Sequence, residues 1–345
     1  MIKVSNVFPF DSQLQSEADK FKKLIAQSKQ ILISSTSTSD GDSIGAQLGI
    51  YALVAALKGG KTDGIWMVDH SPVPNRYGFL KDADKILSIQ DFDKLESKPS
   101  FDLGITLDGG TERTGDVRKL FEKIPAVLVD HHAVGSPLEY ASRILDLEAS
   151  STCELVYHLF EYFDMPVNKE IAESLYIGIV FDTGFFKHSL TKPRTHFVAS
   201  HLVETGIDFS KISDKALLER TWEAQQLLKL LLNNMEKSND GRIVSSHWSL
   251  AELNKINPRD GDQEGMINQL YYLEGSEAIA LFVEKDEGEV KISFRSKGKV
   301  NVAEFARSLN PDGGGHVRAA GCVMKGSLAD VKLAVVKKLH SLLQT

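Results

Sequence analysis

The chain has 345 residues, 42% of them hydrophobic and 25% charged, a globular composition that excludes global disorder. At roughly 100–200 residues per domain, this length predicts two domains. With 26 Gly and 10 Pro the chain is neither collagenous nor low-complexity, and a net charge of −7 (40 basic, 47 acidic residues) argues against a protein that grips long duplex nucleic acid.

From the N-terminus, Leu14, Ala18, Phe21, Leu24 and Ile25 recur at helical spacing and predict a helix over 12–29. The apolar run Ile31-Leu32-Ile33 predicts a strand, 34–42 a polar loop, and 43–57 a second helix. Strands follow at 64–68, at 103–107 ending on Asp108, and at 126–129 ending on Asp130. Helices are expected at 117–123, 150–163 and 168–181. Alternating strands and helices imply an α/β domain over 1–207, a mainly parallel sheet flanked by helices. The polar stretch 208–237 reads as a helical connector. Over 238–345 the pattern becomes a smaller α+β domain, with strands at 243–248, 278–284, 290–295 and 320–324 and helices at 301–309 and 327–343.

Cys153 and Cys322 are too few and too far apart for a disulfide framework or a thiolate metal site, which points to a reducing compartment. The first residues show no charged-then-apolar leader. Apolar runs fall short of the roughly 20 residues that span a bilayer. A soluble cytoplasmic protein without membrane contact is expected.

Ligands of open α/β sheets bind beyond the carboxyl ends of the strands, where Asp40, Asp42, Asp108 and Asp130 fall. Asp182, after the apolar run 175–181, is a fifth acidic position. Any one alone reads as a helix cap or turn residue. Together with His131 and His132 they read differently, because converging carboxylates repel unless a cation neutralises them. Oxygen and imidazole donors suit Mn²⁺, Mg²⁺ or a similar ion. Two such ions about 3.5–4 Å apart would clamp a phosphoryl group and activate water.

The run Val129-Asp130-His131-His132 resembles the signature of the DHH phosphoesterase superfamily. Asp40-Gly41-Asp42-Ser43-Ile44-Gly45 resembles its first motif, usually His-x-x-Pro-Asp-Gly-Asp-x-x-Gly. Asp108 matches its second motif, and Gly178-Ile179-Val180-Phe181-Asp182-Thr183-Gly184 its fourth. Phe294-Arg295-Ser296-Lys297-Gly298 and the segment from Gly313 to Gly321 resemble the DHH-associated C-terminal domain. The layout is similar to nanoRNases and pAp phosphatases (pAp is adenosine 3′,5′-bisphosphate), which cleave short oligoribonucleotides and dinucleotides; some relatives cleave cyclic di-AMP. The resemblance implies one ion on Asp42, Asp108, His131 and Asp182, with Asp108 bridging to a second ion held by Asp40. It implies that Asp130 orients the site and that His132 faces the phosphate. Arg295, Gly313, Gly314, Gly315 and His316 would hold the nucleotide end, and a homodimer is compatible with it.

Two positions depart from the first motif. Thr36 and Ser39 stand where the family has histidine and proline. Threonine replaces an imidazole ligand poorly, so the second ion should bind weakly, or take a donor such as His70 or His188. The alternative reading is a nucleotide-binding protein with an incomplete, inactive metal site.

Overall fold

The computed structural model describes residues 3–132, 139–259, 261–263, 265–285 and 288–344. The chain divides into two units, Met1–Glu219 and Arg220–Thr345. The first is built on a six-stranded sheet of order β3-β2-β1-β4-β5-β6. Its strands are β1 (Ile31–Ser34), β2 (Ile65–Asp69), β3 (Ile86–Ser88), β4 (Leu103–Leu107), β5 (Ala126–Asp130) and β6 (Ser142–Leu145). All neighbours pair in parallel. Every residue of β1 and β4 is buried, as expected for strands covered on both faces. The order reverses between β1 and β4, the switch point at which such sheets open a crevice at their carboxyl ends.

Among the described residues, the five longer helices that cover this sheet or pack beside it are α1 (Ser12–Gln27), α2 (Gly41–Leu57), α3 (Thr152–Tyr162), α4 (Lys169–Asp182) and α5 (Pro193–Glu204). In α1, Leu14, Ala18, Phe21 and Ile25 form one buried stripe, and Asp11 caps the first turn by accepting from the Leu14 N–H. Helix α2 has almost no polar face and lies buried along most of its length. Its glycines 41, 45 and 49 recur every four residues and so share one face. A Cβ on Gly45 would come within 2.3 Å of the Ser174 carbonyl oxygen, and one on Gly49 within 2.7 Å of Leu175 Cδ2. These glycines let α4 approach α2 closely and bring Asp182 to the sheet edge.

The second unit carries a mixed sheet of order β11-β12-β10-β9-β8-β7. It comprises β7 (Glu236–Lys237), β8 (Ile243–Trp248), β9 (Ala278–Glu284), β10 (Glu289–Ser296), β11 (Gly314–His316) and β12 (Ala319–Lys325). Alternate residues of β9 enter opposite cores. Ala278, Ala280 and Phe282 pack with α6 (Val302–Leu309) and α7 (Leu328–Gln344), whereas Ile279, Leu281 and Val283 pack with Leu227 and Leu231.

Several details of the first unit and of the stretch 208–237 differ from the sequence expectations. Helix α2 starts two residues earlier than expected, so Asp40 is its N-cap and Asp42 lies in its first turn. The helix expected over 117–123 shrinks to Arg118–Phe121, preceded by a 3₁₀ turn. The edge strands β3 and β6, and helix α5, are additions; the strands are too short to show a pattern of their own. The stretch 208–237 is divided, with Phe209–Ser213 in the first unit and the helix Trp222–Asn233 contributing Leu227 and Leu231 to a core of the second. Among the described residues no helix is long and apolar enough to cross a membrane.

Replacing Gly45 by Ala forces a methyl into the Ser174 carbonyl. The expected cost is about 1–3 kcal/mol, as for other overpacked cores, read as a lower urea midpoint with an unchanged m-value. An unchanged midpoint would contradict the packing described.

Candidate active site

The acidic residues converge because four elements end at one edge of the first sheet. The loop after β1 delivers Asp40 and Asp42, the end of β4 delivers Asp108, the end of β5 delivers Asp130, His131 and His132, and the last residue of α4 is Asp182. Asp182 therefore comes from the end of the helix expected over 168–181, which extends one residue further to include it.

Asp42 is fully buried and sits at the N-terminus of α3. Its carboxylate accepts from the backbone N–H of Thr152 at 2.7 Å and of Cys153 at 2.9 Å. Unsatisfied N–H groups and the helix dipole favour an anion there. Gly178 leaves room for it, since a Cβ at that position would stand 2.6 Å from Asp42 Oδ1. Asp108 holds a positive φ of 59°, a conformation that costs a non-glycine residue about 1–3 kcal/mol and gathers at functional sites. Its Oδ2 accepts from Ser43 Oγ at 2.7 Å.

His131 is the hub. Its Nδ1 is 3.2 Å from the Ala149 carbonyl, a contact that keeps a proton on Nδ1 and leaves Nε2 as the nitrogen facing inward. Nε2 lies 3.0 Å from Asp182 Oδ2, 3.8 Å from Asp108 Oδ1 and 3.9 Å from Asp42 Oδ2, yet is buried without an aligned hydrogen-bond partner. A buried nitrogen aimed into three carboxylates fits a divalent cation. Asp42, His131 and Asp182 form one group of donors close enough to share an ion; Asp108, His131 and His132 form another. Asp130 is buried, and its Oδ1 accepts from the backbone N–H of His131 and of His132 and meets His132 Nδ1 at 2.9 Å.

Electrostatics carry the same message. Burial, reinforced by the Asp182 charge, pushes the Asp40 carboxyl up to about 7 and that of Asp42 up to about 6. Burial and the neighbouring Asp42, Asp40 and Asp182 push Asp108 well above the carboxylate range. Burial disfavours a charged His131, but Asp182, Asp42 and Asp108 outweigh it and raise the imidazole to about 10.

Asp40 joins neither donor group. Its Oδ1 is occupied by the N–H groups of Asp42 and Ser43. Thr36 is buried, and its hydroxyl lies 3.3 Å from Ser43 Oγ, the same hydroxyl that serves Asp108. His70 contacts Asp116, and His188 contacts the Asp182 carbonyl.

Two supporting residues escaped the sequence reasoning. Asp69 ends β2 and is buried; its carboxylate takes the Ser35 N–H at 3.0 Å and the Ser35, Ser39 and Gln47 side chains, which shapes the loop before Asp40. It is another acidic strand-end residue, the very signal applied to Asp108 and Asp130. Arg194 lies 2.8 Å from Asp146 Oδ2 and donates from Nε to Glu154 Oε1 at 2.6 Å; Glu154 also accepts from Ser150. It thereby braces the segment whose Ala149 carbonyl holds His131. A lone arginine 40 residues from its carboxylate in sequence gives no local signal.

In the second unit, register brings the expected nucleotide-binding residues together. Arg295 pairs with Ala319, which pairs with His316, so all three share one sheet face with the small Ala319 between. Arg295 Nε donates to Asn268 Oδ1 at 3.3 Å, and burial lowers the guanidinium below its usual range. The three glycines are not equivalent. A Cβ on Gly313 would strike the Ala306 carbonyl and one on Gly315 the Ala319 carbonyl, whereas Gly314 faces open space.

Two outcomes are expected. Protonated Asp40 and Asp42 suit the folded state better than the unfolded one, so the stability they add is present in acid and lost as pH rises through about 6 to 7; His131 acts in the same sense through about 10. In chelator, thermal scans should therefore show a falling Tm from about pH 5 to about pH 8, and a divalent cation, which competes with these protons, should raise Tm more at the higher pH. A chelated protein that grows more stable over this range contradicts the cluster. Separately, Arg194→Met leaves Glu154 and Asp146 without their cation and should cost roughly 3–5 kcal/mol in denaturant titrations.

The comparisons with known proteins agree with this geometry. Residues 30–179 match the DHH family N-terminal domain and residues 250–345 the DHHA1 domain. The chain is 27% identical over 301 residues to the bifunctional oligoribonuclease and PAP phosphatase NrnA of Thermus thermophilus, covering 86% of this chain and 84% of that one. It is 28% identical over 319 residues to the cyclic-di-AMP phosphodiesterase GdpP of Bacillus subtilis, covering 88% of this chain but 46% of that one. The crystal structure of an exopolyphosphatase-related protein from Bacteroides fragilis superposes with a TM-score of 0.85 at 25% identity, covering 96% of this chain and 98% of that one. With both domain models in order along the chain and the motif residues of the first gathered at one edge of its sheet, the chain belongs to the DHH family.

Proposed function

We propose that the chain is a metal-dependent phosphodiesterase of the nanoRNase-like branch, which hydrolyses short oligoribonucleotides or pApA-like dinucleotides to mononucleotides and also dephosphorylates pAp. The observation that carries this reading is the buried, unpartnered His131 Nε2 facing Asp42, Asp108 and Asp182. The names of the NrnA relatives support the substrate class.

On this reading Asp42, Asp108, His131 and Asp182 hold one divalent ion, and Mn²⁺ suits such mixed carboxylate and imidazole donors. The bound ion supplies Lewis-acid stabilisation of the phosphoryl oxygens and lowers the pKa of water. Asp130 fixes the ring of His132, whose half-exposed side chain is the group that hydrogen-bonds the phosphate or gives a proton to the leaving oxygen. Arg295 and His316 bind the terminal phosphate of the nucleotide, with Gly314 the glycine left open to it.

The test is product analysis of the full chain with Mn²⁺ on 5′-phosphorylated RNA from dimers to octamers, with pAp and cyclic di-AMP alongside. Mononucleotide release that disappears in Asp108→Ala is the expected result. Turnover of cyclic di-AMP alone would move the activity to that of the GdpP-like relatives. Nucleotide binding without turnover under any divalent ion would make the chain a binding protein.

A further inference from the structure

The second ion position implied by the family motif lacks its imidazole, and the described residues do not replace it. Asp40 spends Oδ1 on the cap of α2. Asp108 Oδ2 accepts a hydrogen bond from the Ser43 hydroxyl, and Ser43 in turn meets Thr36. A phosphodiester in this site would still bring negative charge that one ion does not balance.

A guanidinium stands beside the gap. Arg113 lies in the 3₁₀ turn after β4 and is exposed. Its backbone carbonyl accepts from the Ser37 N–H at 2.7 Å, which ties the turn to the loop carrying Thr36. Its side chain runs over Gly109: a Cβ there would sit 3.0 Å from Arg113 Cδ and 3.1 Å from Thr36 Cγ2, so arginine and threonine flank the same spot. Nη1 reaches to 3.5 Å from the Asp108 carbonyl, and among the described residues the guanidinium pairs with no carboxylate. An unpaired planar cation at the lip of a phosphate site is suited to bidentate contact with phosphate oxygens.

We propose that this chain works with a single tightly held ion and that Arg113 supplies the second positive charge to the scissile phosphate, in the place left by the Thr36 substitution. The proposal rests on the phosphodiesterase reading above for its substrate. Arg113 would hydrogen-bond the non-bridging oxygens, stabilise charge as the phosphorus–oxygen bond breaks, and leave proton transfer to other groups.

The test uses the full-length protein and a mononucleotide product, adenosine 5′-monophosphate, so that binding is read without turnover. Calorimetric titration with Mn²⁺ should give one tight ion per chain, unchanged in Arg113→Ala. With Mn²⁺ saturating, Arg113→Ala should weaken nucleotide binding roughly 10- to 100-fold, the worth of a charge-assisted hydrogen bond, at unchanged Tm. Arg113→Lys should recover part of the loss, because it keeps the charge without the fork. Thr36→His should gain a second ion and become insensitive to Arg113→Ala. Two tight ions in the wild-type chain, or equal nucleotide affinity in wild type and Arg113→Ala, overturns the proposal. A wild type that binds the mononucleotide through Arg113 yet cleaves no oligonucleotide keeps Arg113 as the phosphate-binding cation beside a single ion and sinks the phosphodiesterase reading instead.

Discussion

Like charge held at short range is the constraint on which this structure turns. Asp42, Asp108 and Asp182 surround one imidazole at the carboxyl edge of a parallel sheet, with Asp40 beside them, largely out of water. At a separation of 4 Å and an effective dielectric near 20, each pair of unit charges repels by about 4 kcal/mol. No fold gathers such a set for its own stability. The raised pKa values of Asp40, Asp42 and Asp108 register burial first and this repulsion second, and the raised value of His131 registers the pull of the carboxylates, which outweighs its burial. Perturbed groups of this kind mark functional sites.

The scaffold meets that repulsion with fixed dipoles. The α3 N-terminus holds Asp42, two backbone N–H groups hold Asp40, and the Ser43 hydroxyl holds Asp108. Beyond them stands a further set. Asp130 clamps both histidines, the Ala149 carbonyl orients His131, Arg194 braces the segment carrying that carbonyl, and Asp69 gathers the serines ahead of Asp40. Such outer contacts fix the tautomer and orientation of metal ligands. The glycine face of α2 belongs to the same construction, because without the close approach of α4 the Asp182 carboxylate could not stand 3.0 Å from His131.

The second unit uses a different device. A sheet face with Arg295 on one strand and His316 two strands away, separated by Ala319, offers cationic and polar groups around a floor of small residues. Its glycines divide their work. Gly313 and Gly315 are required by packing inside the unit, and only Gly314 is open. A run of three glycines therefore reflects two physical demands rather than one.

Sequence alone determined the α/β class, the places where β1, β4 and β5 end, and the identity of the acidic and imidazole groups beyond them. Those features are local: burial on both faces writes apolar runs, and turns after strands write Asp and Gly. The DHH resemblance rested on the same local runs. Short edge strands were invisible, because β3 and β6 are set by the neighbours they pair with. Tertiary structure alone decided that Asp182 stands against His131, that Asp69 and Arg194 support the site, and that Arg113 lies against Thr36. Each of these depends on residues far apart in the chain meeting in space, and no pattern within a single segment encodes such a meeting.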